Sequence, residues 1–164
     1  MDKRTALQQY FGFSSFRDGQ QTLIDATLAG RDTLGVMPTG GGKSLCYELP
    51  ALLLPGITLV ISPLISLMKD QVMALRSAGI PAGCINSAMA PDELRAAYQD
   101  TRYGVYKILY VAPERLLGDG FCALSQELDI SLIAVDEAHC ISQWGQDFRP
   151  SYLKITEFLQ KLPR

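Results

Sequence analysis

Two short stretches of the chain carry residues that could do chemistry together. The first is Pro38-Thr39-Gly40-Gly41-Gly42-Lys43-Ser44. Consecutive glycines let a backbone turn its N–H groups inward around phosphate oxygens, and a helix that follows adds the positive end of its dipole. In such a loop Lys43 neutralises the β- and γ-phosphates, and the Ser44 hydroxyl ligates magnesium. The strict phosphate-loop pattern asks for glycine at position 37, where this chain has Met37. The glycines nearest the phosphates and the Gly-Lys-Ser end are intact. The second stretch is Asp136-Glu137-Ala138-His139, directly after the apolar run Leu132–Val135. Here Asp136 is the candidate for holding magnesium, directly or through water. Glu137 is the candidate for orienting and deprotonating an attacking water. His139, the only histidine, could link the phosphate site to a neighbouring element. An acidic pair alone could equally cap a helix. Paired with the loop at 38–44, it builds a nucleoside triphosphatase.

The elements that must position these residues are legible in the apolar pattern. Helices are expected over Thr5–Phe11, Gly19–Leu28, Lys43–Leu54 (kinked at Pro50), Ile65–Ala78, Pro91–Tyr103, Pro113–Leu117, Phe121–Glu127 and Tyr152–Leu162. Strands are expected over Thr33–Met37, Ile57–Ser62, Ala82–Asn86, Lys107–Val111 and Leu132–Val135. Ile57–Ser62 is almost wholly apolar between Pro55-Gly56 and Pro63, the pattern of a strand buried on both faces in a parallel sheet. Alternating strands and helices predict a three-layer α/β/α domain with a mostly parallel sheet. In such sheets ligands bind at the carboxyl ends of the strands, where both stretches fall.

Composition narrows the function classes. A chain of 164 residues, 48% hydrophobic and 20% charged, has the make-up of one globular domain with a sizeable core. A net charge of −2 argues against a globally basic nucleic-acid binder, so any DNA contact must come from a local patch. The four cysteines, Cys46, Cys84, Cys122 and Cys140, form no closely spaced pair, which argues against a zinc site. No secretory leader or membrane-length apolar run is visible, so a reducing intracellular compartment is expected.

With those residues in view, the chain resembles the first RecA-like domain of a RecQ-family DNA helicase, within helicase superfamily 2. The matching segments run in order. Phe11-Gly12-Phe13 with Phe16-Arg17-Asp18-Gly19-Gln20 resembles the adenine-recognising motif. Met37–Tyr47 resembles motif I, in which Met37 is the family's own variant. Ser62–Val72 resembles motif Ia and Tyr110–Leu116 motif Ib. Asp136–Pro150 resembles motif II with its aromatic-rich loop. The resemblance implies ATP and Mg2+ as cofactors, with Ser44 and Asp136 holding the metal. It implies Phe13, Arg17, Gln20 and residues Met37, Pro38, Thr39, Gly40, Gly41, Gly42, Lys43 and Ser44 around the nucleotide. It implies catalytic roles for Lys43, Asp136, Glu137 and His139. Lys69, Arg115, Trp144, Phe148 and Arg149 would contact single-stranded DNA, the aromatics by base stacking. Phe11 and Phe16 are expected in the core. Three positions depart from the usual family pattern: Gln146 in place of His, Asp18 in place of Pro and Phe13 in place of Tyr.

The same resemblance implies a 3′-to-5′ DNA helicase of repair and recombination, acting on single-stranded and branched DNA; the compact start of the chain suggests a bacterial, nucleoid-associated cytoplasm as its location. It covers the chain to about Pro163, short of motif III, the second RecA-like domain, the zinc subdomain and the winged helix. A strand of the RecA-like sheet that normally lies between the phosphate-loop strand and the Asp-Glu strand falls outside this range. A gap or a distorted sheet is expected there. The 164 residues alone are expected to bind nucleotide weakly and not to unwind DNA. The alternative is a truncated, non-catalytic nucleotide- or DNA-binding fragment.

Overall fold

A computed structural model describes residues 1–37, 42–138 and 150–162. Its centre is a four-stranded, all-parallel sheet: β1 (Ile57–Ile61), β2 (Ala82–Ile85), β3 (Ile108–Val111) and β4 (Ile130–Val135), in the order β2-β3-β1-β4. The helices are α1 (Lys3–Phe11), α2 (Gln20–Leu28), α3 (Leu45–Leu53), α4 (Ile65–Ser77), α5 (Pro91–Arg102), α6 (Asp119–Glu127) and α7 (Leu153–Lys161). Short 3₁₀ turns occupy Pro113–Arg115 and Pro150–Tyr152.

Period-two alternation sorts the strand side chains into two cores. Leu59, Ile61, Leu109 and Val111 point to one face, where Phe121, Leu124, Ile155 and Phe158 from α6 and α7 cover them. Val60, Ile108 and Tyr110 point to the other, against Met68, Val72 and Leu75 of α4 and Ala51 of α3. Burial on both faces is why β1 and β3 read as continuous apolar runs. A third cluster packs α1 and α2 onto α3 through Leu7, Ile24, Leu45 and Leu49. The expected three-layer architecture is therefore present, with Gly79 closing α4 at a positive φ of 87°. Pro50 sits inside α3.

One expected strand does not form. Thr33–Met37 pairs with nothing in the sheet, and Leu34 and Val36 are 77% and 91% exposed. Its apolar residues suit a strand, but a strand exists only beside a partner about 4.8 Å away. The last strand in the sheet order, β4, has β1 on one side and no strand on the other among the described residues. Thr33–Met37 and Leu132–Ala138 together line a groove of about 640 Å3. This is the gap expected next to the Asp-Glu strand, and it leaves the phosphate-loop strand without a ladder to join.

Candidate active site

The two chemical stretches meet at the carboxyl end of the sheet. β4 ends at Val135, and the next backbone N–H, from Asp136, donates to the Ile61 carbonyl at 2.9 Å. From the far side the Tyr152 hydroxyl donates to the Asp136 carbonyl at 2.7 Å. Tyr152 is fully buried. The Asp136 backbone is thus gripped by a strand before it and a phenol from the start of α7. Its side chain turns back on itself: Asp136 Oδ1 accepts the Glu137 N–H at 3.0 Å. Glu137 has φ +56°, the left-handed region that costs a residue other than glycine about 1–2 kcal/mol. That twist aims the second carboxylate toward the phosphate loop.

Lys43 receives it. Its Nζ lies 3.1 Å from Glu137 Oε1 and 4.0 Å from Asp136 Oδ1. The lysine precedes α3, and its side chain is half exposed. Residues 94 positions apart, from separate elements, therefore form one charged cluster at the sheet edge. Ser44 stands beside Lys43 at the N-terminal end of α3.

On the other side of Lys43 lies a cavity of about 390 Å3, lined by Phe13, Arg17, Gln20, Gly42, Lys43 and Ser44 among others. The predicted base-binding residues and the described end of the phosphate loop thus share one concavity. Phe13 is half exposed, as a stacking surface needs to be, while Phe11 and Phe16 are half-buried and pack against the cluster of α1, α2 and α3. Gln20 is buried, and its amide is engaged at both ends. Oε1 accepts the Arg17 N–H at 2.8 Å, and Nε2 donates to the Gly42 carbonyl at 2.9 Å. It ties the Phe13–Arg17 loop to the phosphate loop, a role that sequence reasoning did not assign. Gly42 has φ +75°, and a Cβ there would stand 2.5 Å from Gln20 Nε2, so glycine is required.

Behind the charged cluster is a buried polar group that the sequence did not announce. Tyr47 on α3 and Tyr110 on β3 meet edge to face, with hydroxyls 3.2 Å apart. Burial pushes both phenols up, and pushes the neighbouring Glu48 carboxyl up to about 7. Tyr47 and Glu48 are adjacent on α3 and Tyr110 is on β3, so only the packing of α3 on the sheet brings the three together.

The predicted DNA contacts divide. Lys69 is exposed on α4, which follows β1. Arg115 is half-buried in the turn that follows β3, and its Nε has no hydrogen-bond partner among the described residues. Both leave the same sheet edge as Asp136. Ser87 Oγ, 2.9 Å from Glu114 Oε1, ties the exits of β2 and β3 together there. His139, Trp144, Phe148 and Arg149, and Pro38, Thr39, Gly40 and Gly41, lie outside the described residues. Among the described residues, no three His, Cys, Asp or Glu side chains cluster as a metal site. The donor set nonetheless suits magnesium, which keeps several waters and needs one or two protein oxygens beside phosphate; Ser44 and Asp136 are of that kind.

The DEAD/DEAH box helicase family matches residues 17–164. The chain belongs to that family. Within it, this helicase domain is 51% identical over 160 residues to "ATP-dependent DNA helicase RecQ" of Bacillus subtilis, covering 97% of this chain and 27% of that protein. It is 51% identical over 156 residues to the protein of the same name in Pasteurella multocida, covering 93% and 25%. The helicase domain thus spans about a quarter of the length of these relatives. A structure described as a hypothetical ATP-dependent RNA helicase from Sulfolobus tokodaii superposes with a TM-score of 0.74 at 21% identity, over 97% of this chain and 46% of that one. At that identity the likeness concerns the fold. No helix among the described residues is long and apolar enough to cross a membrane.

Proposed function

We propose that this domain binds ATP with magnesium across the two cavities that Lys43 lines and hydrolyses it as the motor half of a DNA helicase. The observation that carries this is Lys43, whose ammonium joins the phosphate loop to Glu137 at 3.1 Å and Asp136 at 4.0 Å. The base would lie against Phe13, with Arg17 and Gln20 at its edge. Lys43 would leave its carboxylates for the terminal phosphates. Glu137, released from that ion pair, would accept a proton from the attacking water. Ser44 and Asp136 would hold magnesium, which spreads the phosphate charge. His139 would relay the site's state to a neighbouring element.

Lys69 and Arg115, with Trp144, Phe148 and Arg149, would grip a single strand of DNA. The relatives support the DNA substrate by their names, and the resemblance supports 3′-to-5′ polarity, branched DNA and a role in repair and recombination. The groove beside β4 supports a sheet completed by a further strand of a longer chain, followed by a second RecA-like domain. Residues 1–164 alone would then bind nucleotide weakly and unwind nothing; robust ATP-dependent unwinding by this segment would contradict that. The direct test is Lys43→Ala in the full-length protein. ATP turnover is expected to vanish while the circular dichroism spectrum and melting curve stay in place. Unchanged turnover would overturn the assignment.

A further inference from the structure

The peptide plane between Asp136 and Glu137 is held at both ends. Its carbonyl accepts the Tyr152 hydroxyl proton at 2.7 Å, and its N–H donates to Asp136 Oδ1 at 3.0 Å. One residue earlier, the Asp136 N–H is tied to the Ile61 carbonyl at 2.9 Å. The bond that follows the plane is N–Cα of Glu137, and rotation about it sets the φ of +56°. A side chain other than glycine stays in that region only where its surroundings over-determine it. The N–H is held by the side chain of its own neighbour, which moves with the same stretch of chain. Tyr152 holds the carbonyl from outside, 16 positions away. Its ring is fully buried in the cluster that also contains Ile155 and Phe158 of α7. A ring packed in that way does not follow a moving carbonyl, so its hydroxyl fixes the plane against the core.

From this geometry we infer that Tyr152 is a positioning residue for Glu137. Its hydroxyl keeps the Asp136–Glu137 peptide in the orientation that turns the Glu137 carboxylate onto Lys43, 3.1 Å away. Without that bond the plane rotates, φ of Glu137 relaxes to the common negative region, and the carboxylate swings off the site. Tyr152 touches neither phosphate nor water and acts through Glu137. Its part in turnover therefore rests on the reading of Glu137 as the group that accepts the water's proton, whereas its hold on the peptide does not.

Two measurements on the full-length protein test this. Hydrogen exchange at the Glu137 amide needs no turnover: in Tyr152→Phe it is expected to run roughly fivefold faster than in wild type, with β1 and β3 unchanged. ATP turnover supplies the second. A Glu137→Gln variant with wild-type kcat would remove the base reading and leave exchange to decide the hold on the peptide. With Glu137→Gln impaired, Tyr152→Phe is expected to lower kcat about tenfold and to keep the affinity for a non-hydrolysable ATP analogue within twofold. Added to Glu137→Gln, the same change should cost nothing further, because a misaimed side chain matters only where that side chain works. An unchanged Glu137 amide, an unchanged kcat, or an equal loss in both backgrounds would overturn the inference. Phenylalanine keeps the ring in the core, and urea melts confirm that folded proteins are compared. Glu137→Gly and Glu137→Ala test the held peptide with Tyr152 in place. Both lack the carboxylate, and only glycine is unstrained at this φ, so glycine should melt at the higher urea concentration. Alanine melting at the same or a higher concentration would also overturn the hold.

Discussion

Replacing Glu48 by Gln should make the domain more stable, and increasingly so as pH rises. The Glu48 carboxyl, on α3, has its pKa raised from 4.5 to about 7, chiefly because burial disfavours the charge. The Tyr110 hydroxyl offsets part of that burial. A raised acid pKa means that the folded state holds the proton more tightly than the unfolded chain does. Between pH 4.5 and about 7 the folded state therefore binds more protons, and stability falls as pH rises through that window. Above it the loss levels off, at on the order of 3 kcal/mol for a displacement of this size. The amide introduced by Glu48→Gln has no proton to lose but keeps the oxygen that Tyr110 can address. Urea melts of both proteins at pH 5, 6, 7 and 8 isolate the effect, because every other titration cancels in the difference. The gap should be small at pH 5 and reach about 2–3 kcal/mol in favour of the amide by pH 8. A gap independent of pH, or one that favours the carboxyl at pH 8, would refute the assignment of a buried group held against its charge.

Three other substitutions probe separate parts of the site. Gly42→Ala places a Cβ 2.5 Å from Gln20 Nε2 at a positive φ, so thermal melts should show a loss of about 1–2 kcal/mol, with weaker nucleotide binding as the Gln20 tie is displaced. Tyr152→Phe removes the 2.7 Å bond to the Asp136 carbonyl; a loss of about 1 kcal/mol in urea melts is expected, together with a kcat that falls more than KM rises. Val36→Ser, at a side chain 91% exposed, should change the stability of residues 1–164 by less than about 0.5 kcal/mol. In a longer chain whose further strand covers the groove, the same change should cost about 1–3 kcal/mol in urea melts.

What the sequence discloses depends on whether the cause is local. β1 and β3 are readable because burial on both faces imposes an apolar run, and the phosphate loop is readable because its glycines serve one backbone geometry. The Asp136–Glu137 pair is readable because an apolar strand delivers it to a sheet edge. Thr33–Met37 shows the limit: its composition states what the segment prefers, while strand formation also needs a neighbour. Gln20 is similar, since its type suits reading a base edge, yet its amide is engaged by Arg17 and Gly42. Tyr47, Tyr110, Glu48 and Tyr152 act through contacts that exist only after the helices dock on the sheet. No spacing in the chain points to them.

The open side of β4 separates two kinds of integrity in this molecule. Backbone amides of β1 and β3 lie between strands, and those of β4 have one flank without a strand partner among the described residues. Local opening starts at such margins, so hydrogen exchange should reach β4 well before the sheet interior. The two carboxylates follow directly on that margin, whereas Lys43 precedes α3, which packs on the interior strands. A strand laid along β4 is therefore expected to slow exchange there first, in the strand that delivers Asp136 and Glu137.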